Sequence, residues 1–148
     1  IYGYTFHIYD YLRPDLSGKL RPIHPDHAFR VIKFERTSRW VSKYLKQPPR
    51  LVRSGKDWAE YCLGEFKEIY YKVHRLEFKT KITDDTKGKF HILTLIEGES
   101  VVIQSKESPE RRFKIKFSET IIVPACLGKY FIINLGNALC KVVKVFLK

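Results

Sequence analysis

The sequence predicts an all-β domain, an antiparallel sandwich or barrel with a short helical segment near its N-terminus. Three observations carry that expectation. From Phe90 to Lys148, short β-branched and aromatic runs alternate with turns marked by Gly, Asn and Pro, the pattern of strands joined by tight connections. Hydrophobic residues make up 44% of the 148, enough for one packed core and too many for a disordered chain. No apolar run approaches the roughly 20 residues of a membrane-spanning helix, so no membrane partner is expected.

The elements follow in order. Tyr4 to Tyr11 has the aromatic, β-branched character of a strand. Arg13-Pro14-Asp15, Ser17-Gly18 and Arg21-Pro22 mark a loop. A helix is expected from His24-Pro25-Asp26 to about Lys33. Pro25 lacks the N–H that a first turn leaves orphaned, Asp26 suits the positive end of the dipole, and Ala28, Val31 and Ile32 form an apolar stripe. A second helix runs from about Ser38 to Lys46, stopped before Pro48-Pro49, and leads into an extended stretch.

Phe66 to Ile82 is strand material whose imperfect alternation suggests a bulge or two shorter strands. Asp84 to Gly88 reads as a turn. Strands are expected at Phe90–Ile96, Ser100–Gln104, Arg112–Phe117, Thr120–Val123, Tyr130–Asn134 and Leu139–Leu147.

Charge and cysteines narrow the function classes. The formal charge is +12, from 28 Lys and Arg against 16 Asp and Glu. That balance fits a solvated lysine-rich surface, or an anionic partner. From Arg36 to Lys56 the basic residues Arg36, Arg39, Lys43, Lys46, Arg50, Arg53 and Lys56 occur with no acidic one. They form either an anion-binding strip or a wet connector. Cys62, Cys126 and Cys140 have no metal-ligand spacing and read as buried thiols of a reducing, cytoplasmic compartment, with one disulfide plus a leftover thiol as the lesser reading. A Ser-His-Asp signature, a Gly-rich phosphate loop and usefully spaced paired carboxylates are all missing from the sequence.

Two blocks carry a family resemblance. HIYDYLRPDLSGKLRPIHPDHAFRVI (His7 to Ile32) resembles a characteristic segment of class I mannose-6-phosphate isomerases of the short bacterial and archaeal branch. HILTLIEGESVVI (His91 to Ile103) and SETIIVPACLGKYFIINLG (Ser118 to Gly136) look like that family's C-terminal cupin half. The resemblance implies a cupin-like jelly roll. Residues 1–65 would be a family-linking segment (strand, short helix, basic connector) and 66–148 the barrel, folded together as one domain.

It also implies that the chain is the C-terminal part of a longer cytoplasmic protein of carbohydrate metabolism, with the upstream half of the same protein and a sugar phosphate as its partners. The family's zinc is held by residues upstream of the matched segment, so zinc is expected only with that half, and this chain alone is expected to be inactive. The reaction exchanges aldose and ketose phosphates through an enediol, with the metal polarising sugar oxygens and a base moving the proton.

His7 stands where the family has an active-site arginine. An arginine offers parallel donors and permanent charge, whereas histidine changes charge near pH 6.5. Losing such a donor costs about 10²–10³ in rate. Tyr9, Asp10 and Arg13 follow the family pattern and would shape the pocket wall. Aligned on Gly98, His91 falls at a cupin metal-ligand position; aligned on Pro124, Lys129 falls at another. One imidazole and an ammonium make no metal site, so no metal is expected in the barrel. His24 and His27 have i, i+3 spacing but read as a helix start.

Two rival functions remain open at this stage. One is a non-catalytic cupin that binds a sugar or sugar phosphate in the barrel mouth. The other, less favoured, is a nucleic-acid module using Arg36 to Lys56 with Trp40, Tyr44 and Trp58.

Overall fold

A computed structural model describes residues 6–148 and divides the chain into two compact units, Ile1–Lys46 and Gln47–Lys148. In the first unit, the strand expected over Tyr4–Tyr11 is not formed in its described part; Tyr4 and Thr5 lie outside the described residues. Tyr11 and Leu12 have φ of 52° and 53°, a left-handed conformation that breaks extended backbone. The loop closes on itself instead. The Asp15 carboxylate accepts from the N–H of Ser17 and Lys19 at 2.8 and 3.1 Å, a side-chain-built turn completed by a bridge between Pro14 and Leu20.

Two short helices follow. Helix α1 spans Pro25–Val31, with Pro25 in its first turn and Asp26 at its positive end. Helix α2 spans Ser38–Tyr44, and the Thr37 side chain accepts from the Trp40 N–H. Among the described residues of this unit, only Asp10 and Ala28 are buried. Fourteen large hydrophobic side chains are exposed, Leu16, Tyr11, Leu12 and Phe34 among them.

The second unit is a two-sheet antiparallel sandwich. Its strands are β1 (Arg50–Ser54), β2 (Trp58–Gly64), β3 (Tyr71–Phe78), β4 (Lys81–Asp85), β5 (His91–Glu97), β6 (Ser100–Ser105), β7 (Arg112–Lys116), β8 (Thr120–Val123), β9 (Lys129–Asn134) and β10 (Cys140–Leu147). One sheet has the order β1-β2-β3-β10-β5-β8, the other β4-β9-β6-β7.

Strands β1 and β2 lie upstream of residue 66, so the sandwich takes in part of the segment read as a linker. The stretch Phe66–Ile82 holds two strands as expected, β3 and the start of β4, and β3 itself alternates, with His74, Leu76 and Phe78 buried. The irregularity lies in its neighbour, where the register shifts between Cys62 and Gly64. Asp84 is not in a turn either. It belongs to β4, paired with Tyr130.

Alternation sends every second side chain into the sandwich. Leu76, Phe78, Ile82, Leu93, Leu95, Val101, Ile103, Tyr130, Ile132, Cys140 and Val142 are at most 2% exposed. Each fully buried aliphatic side chain contributes about 1.5–3 kcal/mol. Gly98 turns β5 into β6 at φ 109°, and a Cβ there would overlap the Cys140 sulfur. All three cysteines are free; Cys62 and Cys140 are buried as expected, but Cys126 is exposed because it sits in the short 3-10 turn Ala125–Leu127 at the surface.

Candidate functional site

The inward rows of the sandwich change character along their length. In β3 the row runs Phe78, Leu76, His74; in β10 it runs Cys140, Val142, Lys144; in β5 it runs Leu95, Leu93, His91. Strand β4 contributes Ile82 then Asp84, and Glu60 comes inward from β2. Antiparallel register sets Lys144 opposite His74 and Asp84 opposite Tyr130. One end of the interior is therefore apolar and the other charged.

At the charged end the groups pair closely. Lys144 Nζ donates to Asp84 Oδ2 at 2.5 Å and lies 2.9 Å from Glu60 Oε1. His74 Nδ1 is 2.7 Å from the same Glu60 oxygen. The Arg53 guanidinium donates to Glu60 Oε2 and reaches Asp84 Oδ1 at 3.5 Å. The Lys144 and Glu60 side chains are 5% and 4% exposed, which demands such pairing, since an isolated buried charge costs several kcal/mol.

Burial pushes the Glu60 carboxyl up. His74, Lys144 and Arg53 push it down further and leave it well below the usual carboxylate range. His91 is held below its ordinary 6.5, chiefly by burial and also by Lys144, against the pull of Asp84, Glu60 and Asp85. Its Nδ1 meets the Tyr130 hydroxyl at 2.7 Å, and burial beside Asp84 and Glu60 keeps that hydroxyl protonated. A carboxylate so firmly ionised is a poor proton acceptor near neutral pH.

Arg53, Glu60, Asp84, His91 and Lys144 form the floor of an open cavity of about 630 Å³. Its wall adds Lys72, Lys87, Lys89, Lys129 and Lys148, with Asp85, Thr86 and Phe146. Lys129, at a cupin ligand position by alignment, thus stands on the wall, and His91 is on the floor. A divalent ion between Glu60 and Asp84 would have to displace the Lys144 ammonium. Among the described residues no group of three or more His, Cys, Asp or Glu side chains is placed to hold a metal.

The residues singled out near the N-terminus lie in the first unit. Asp10 is buried and accepts from Arg13 Nε and Nη2 at 3.1 and 2.6 Å, and Arg21 Nε stands 3.2 Å from its other oxygen. The Arg13 hydrogen bonds hold the Asp10 carboxyl below the usual range despite its burial, helped by Arg21 and His7. His7 accepts at its carbonyl from the His24 N–H at 2.7 Å, and the two rings are 6.5 Å apart. Tyr9 is exposed and packs edge-on against Tyr11. The His24 Nδ1 is buried and has no hydrogen bond among the described residues.

The basic stretch is divided. Arg36, Arg39, Lys43 and Lys46 belong to the first unit, Arg50, Arg53 and Lys56 to the second. Arg53 is engaged by the barrel carboxylates. Glu60, His74, Asp84 and Lys144 were not singled out by sequence reasoning as site residues.

No protein-family model matches the chain, and no curated protein matches it in sequence. Solved structures do match. The mannose 6-phosphate isomerase of Bacillus subtilis is similar with a TM-score of 0.69 at 18% identity, over 95% of this chain and 39% of that one. A cupin-2 domain from Rhodospirillum rubrum matches at 0.54 and 6% identity, over 67% of this chain and 69% of that one. The ectoine synthase of P. lautus matches at 0.51 and 16% identity, over 64% and 67%. The fold is that of the cupins. The chain spans about two-fifths of the length of the isomerase. No described helix is long and apolar enough to cross a membrane.

Proposed function

We propose that this chain is the C-terminal cupin part of a mannose-6-phosphate isomerase-like protein, which in its complete form exchanges an aldose phosphate for a ketose phosphate. The coverage of the Bacillus isomerase carries the reading. Its match takes in 95% of the chain, necessarily reaching into the helical first unit, whereas the cupin-2 domain and the ectoine synthase match about two-thirds. The exposed apolar side chains of the first unit support it from within. Such a surface is a place for another part of the protein to pack, and the partner proposed is the upstream half of the same protein.

In this reading the Phe6–Arg13 segment forms one wall of the sugar-phosphate pocket. Asp10, clamped by Arg13 and Arg21, fixes the segment that presents His7 and Tyr9. Zinc would be supplied with the upstream half, where it would polarise the sugar oxygens. The complete protein, loaded with zinc, is expected to interconvert mannose 6-phosphate and fructose 6-phosphate in a coupled assay, and this chain alone is expected to be inert. His7→Arg in the complete protein should raise kcat by about 10². A zinc-loaded complete protein with no turnover, in both the natural and the His7→Arg forms, would refute the reading.

A further inference from the structure

We infer that the open wedge between strands β7 and β8 is a binding site for a small monocarboxylic acid with an apolar body, of the chemistry of a medium-chain fatty acid. The inference does not rest on the isomerase reading, because every residue involved belongs to the second unit. Strand β7 ends the smaller sheet and β8 ends the larger. They pair with β6 and β5, not with each other. Residues 117–119 tie them together at one end, where the N–H groups of Phe117 and Ser118 donate to the carbonyls of Glu99 and Leu95 at 3.1 and 2.8 Å. Away from that tie the two edges are open. Ile115 and Phe113 stand opposite the buried Val101 and Ile103 of β6, so both belong to the inward row. Ile115 is 5% exposed, yet Phe113 is 64% exposed. The cover over that row ends between them.

The space so left is a groove of about 730 Å³, within the range of small-ligand sites. Phe113, Ile121, Ile122, Val123 and Leu127 line it, and it reaches the core residue Ile103. An apolar body laid against these side chains is withdrawn from water together with them, which favours its entry. The head group is set by charge. Arg111 and Arg112 also line the groove, against the single carboxylate of Glu110. Among the described residues neither guanidinium is hydrogen-bonded or ion-paired through its side chain, in contrast to Arg53. A guanidinium takes a carboxylate through parallel charge-assisted hydrogen bonds, so one acid group on an apolar body uses both features of the lining. The same charges argue against a second copy of this chain as the occupant. Arg112, Lys114 and Lys116 make β7 basic, and two such edges side by side would set cations opposite one another.

Calorimetric titration of this chain with octanoate, 1-octanol, octylamine and acetate separates the head group from the tail. Octanoate is expected to bind saturably at one site and, in step with its occupancy, to slow alkylation of Cys126, the exposed thiol in the lining. The alcohol should bind about tenfold more weakly, the amine more weakly still, and acetate not at all. Arg111→Gln with Arg112→Gln, both exposed positions, should cost octanoate about tenfold and leave 1-octanol unchanged, a difference that a merely structural role would not produce. Phe113→Ala should weaken both, and Lys87→Gln with Lys129→Gln, at the barrel mouth, neither. The inference is overturned if octanoate shows no saturable binding at about 10 mM, if octylamine binds as tightly, or if Cys126 keeps its full reactivity with octanoate bound. It is also overturned if this chain forms a dimer that Phe113→Glu dissociates, or if octanoate binds this chain and not the complete protein. The groove would then belong to a second copy or to the upstream half.

Discussion

The two units of this chain are built on opposite terms. The second buries thirteen side chains of its hydrophobic cluster at 5% exposure or less and relegates charge to one end of its interior. The first buries Asp10 and Ala28 and is held by polar links, Arg13 and Arg21 on Asp10 and two amides on Asp15. The difference teaches where stability is made. The sandwich can carry its own fold, because burial of apolar area is the dominant favourable contribution. Among its described residues the first unit has local geometry without a core.

The largest expected effect comes from removing core volume. Phe78→Ala should cost the second unit about 3–5 kcal/mol in denaturant unfolding, whereas Phe29→Ala, at an exposed position of α1, should stay within about 0.5 kcal/mol. Equal losses would erase the contrast between the units. Next comes the charged end. Lys144→Met leaves Glu60 and Asp84 with one buried cation fewer and is expected to cost about 3–5 kcal/mol. A stability unchanged by that substitution would show that the ion cluster is dispensable.

Acid should act on the sandwich through the same groups. Folded His91 has its pKa below the ordinary 6.5, so the unfolded chain takes up that proton first. The corresponding stability is whole above about pH 6.5 and is lost as pH falls through the folded value. Glu60 is depressed below its ordinary 4.5, so its contribution is whole above about pH 4.5 and declines below it. The unfolding midpoint of the sandwich should therefore fall on acidification from about pH 6.5. His91→Gln, which retains a partner for Tyr130, should remove the upper part of the decline and Glu60→Gln the lower. A midpoint that rises on acidification would reverse the assignment.

The smallest effect is local. Asp10→Asn should speed amide exchange across the Asp10–His24 loop and leave the sandwich protected; unchanged exchange in the loop would mean that the arginine clamp holds nothing.

Much of the sandwich was legible. Thr120–Val123 is found where expected, and the other strands from His91 onward fall within a residue or two of their expected limits, because apolar alternation and Gly- or Asn-marked turns point the same way there. Strand β2 was missed: Trp58–Gly64 places Glu60 in an inward row, and a charged residue argues for the opposite face. The same conflict hid Lys144, which shares parity with Val142, and Asp84, which shares it with Ile82. Parity carried the signal; charge argued against it. The strand expected over Tyr4–Tyr11 is not formed in its described part for another reason. Its composition favours extension, but the left-handed Tyr11 and Leu12 turn the chain into a loop. His7, Tyr9, Asp10 and Arg13 were visible through resemblance alone, and only Asp10 with Arg13 forms the close contact that composition could not foretell.

Asp84 belongs to the smaller sheet, while Lys144 and Arg53 belong to the larger one. Where the oily filling ends, this ionic clasp ties one layer to the other. A guest that drew Lys144 or Arg53 away from Asp84 would undo a link between the sheets at the very doorway through which it came.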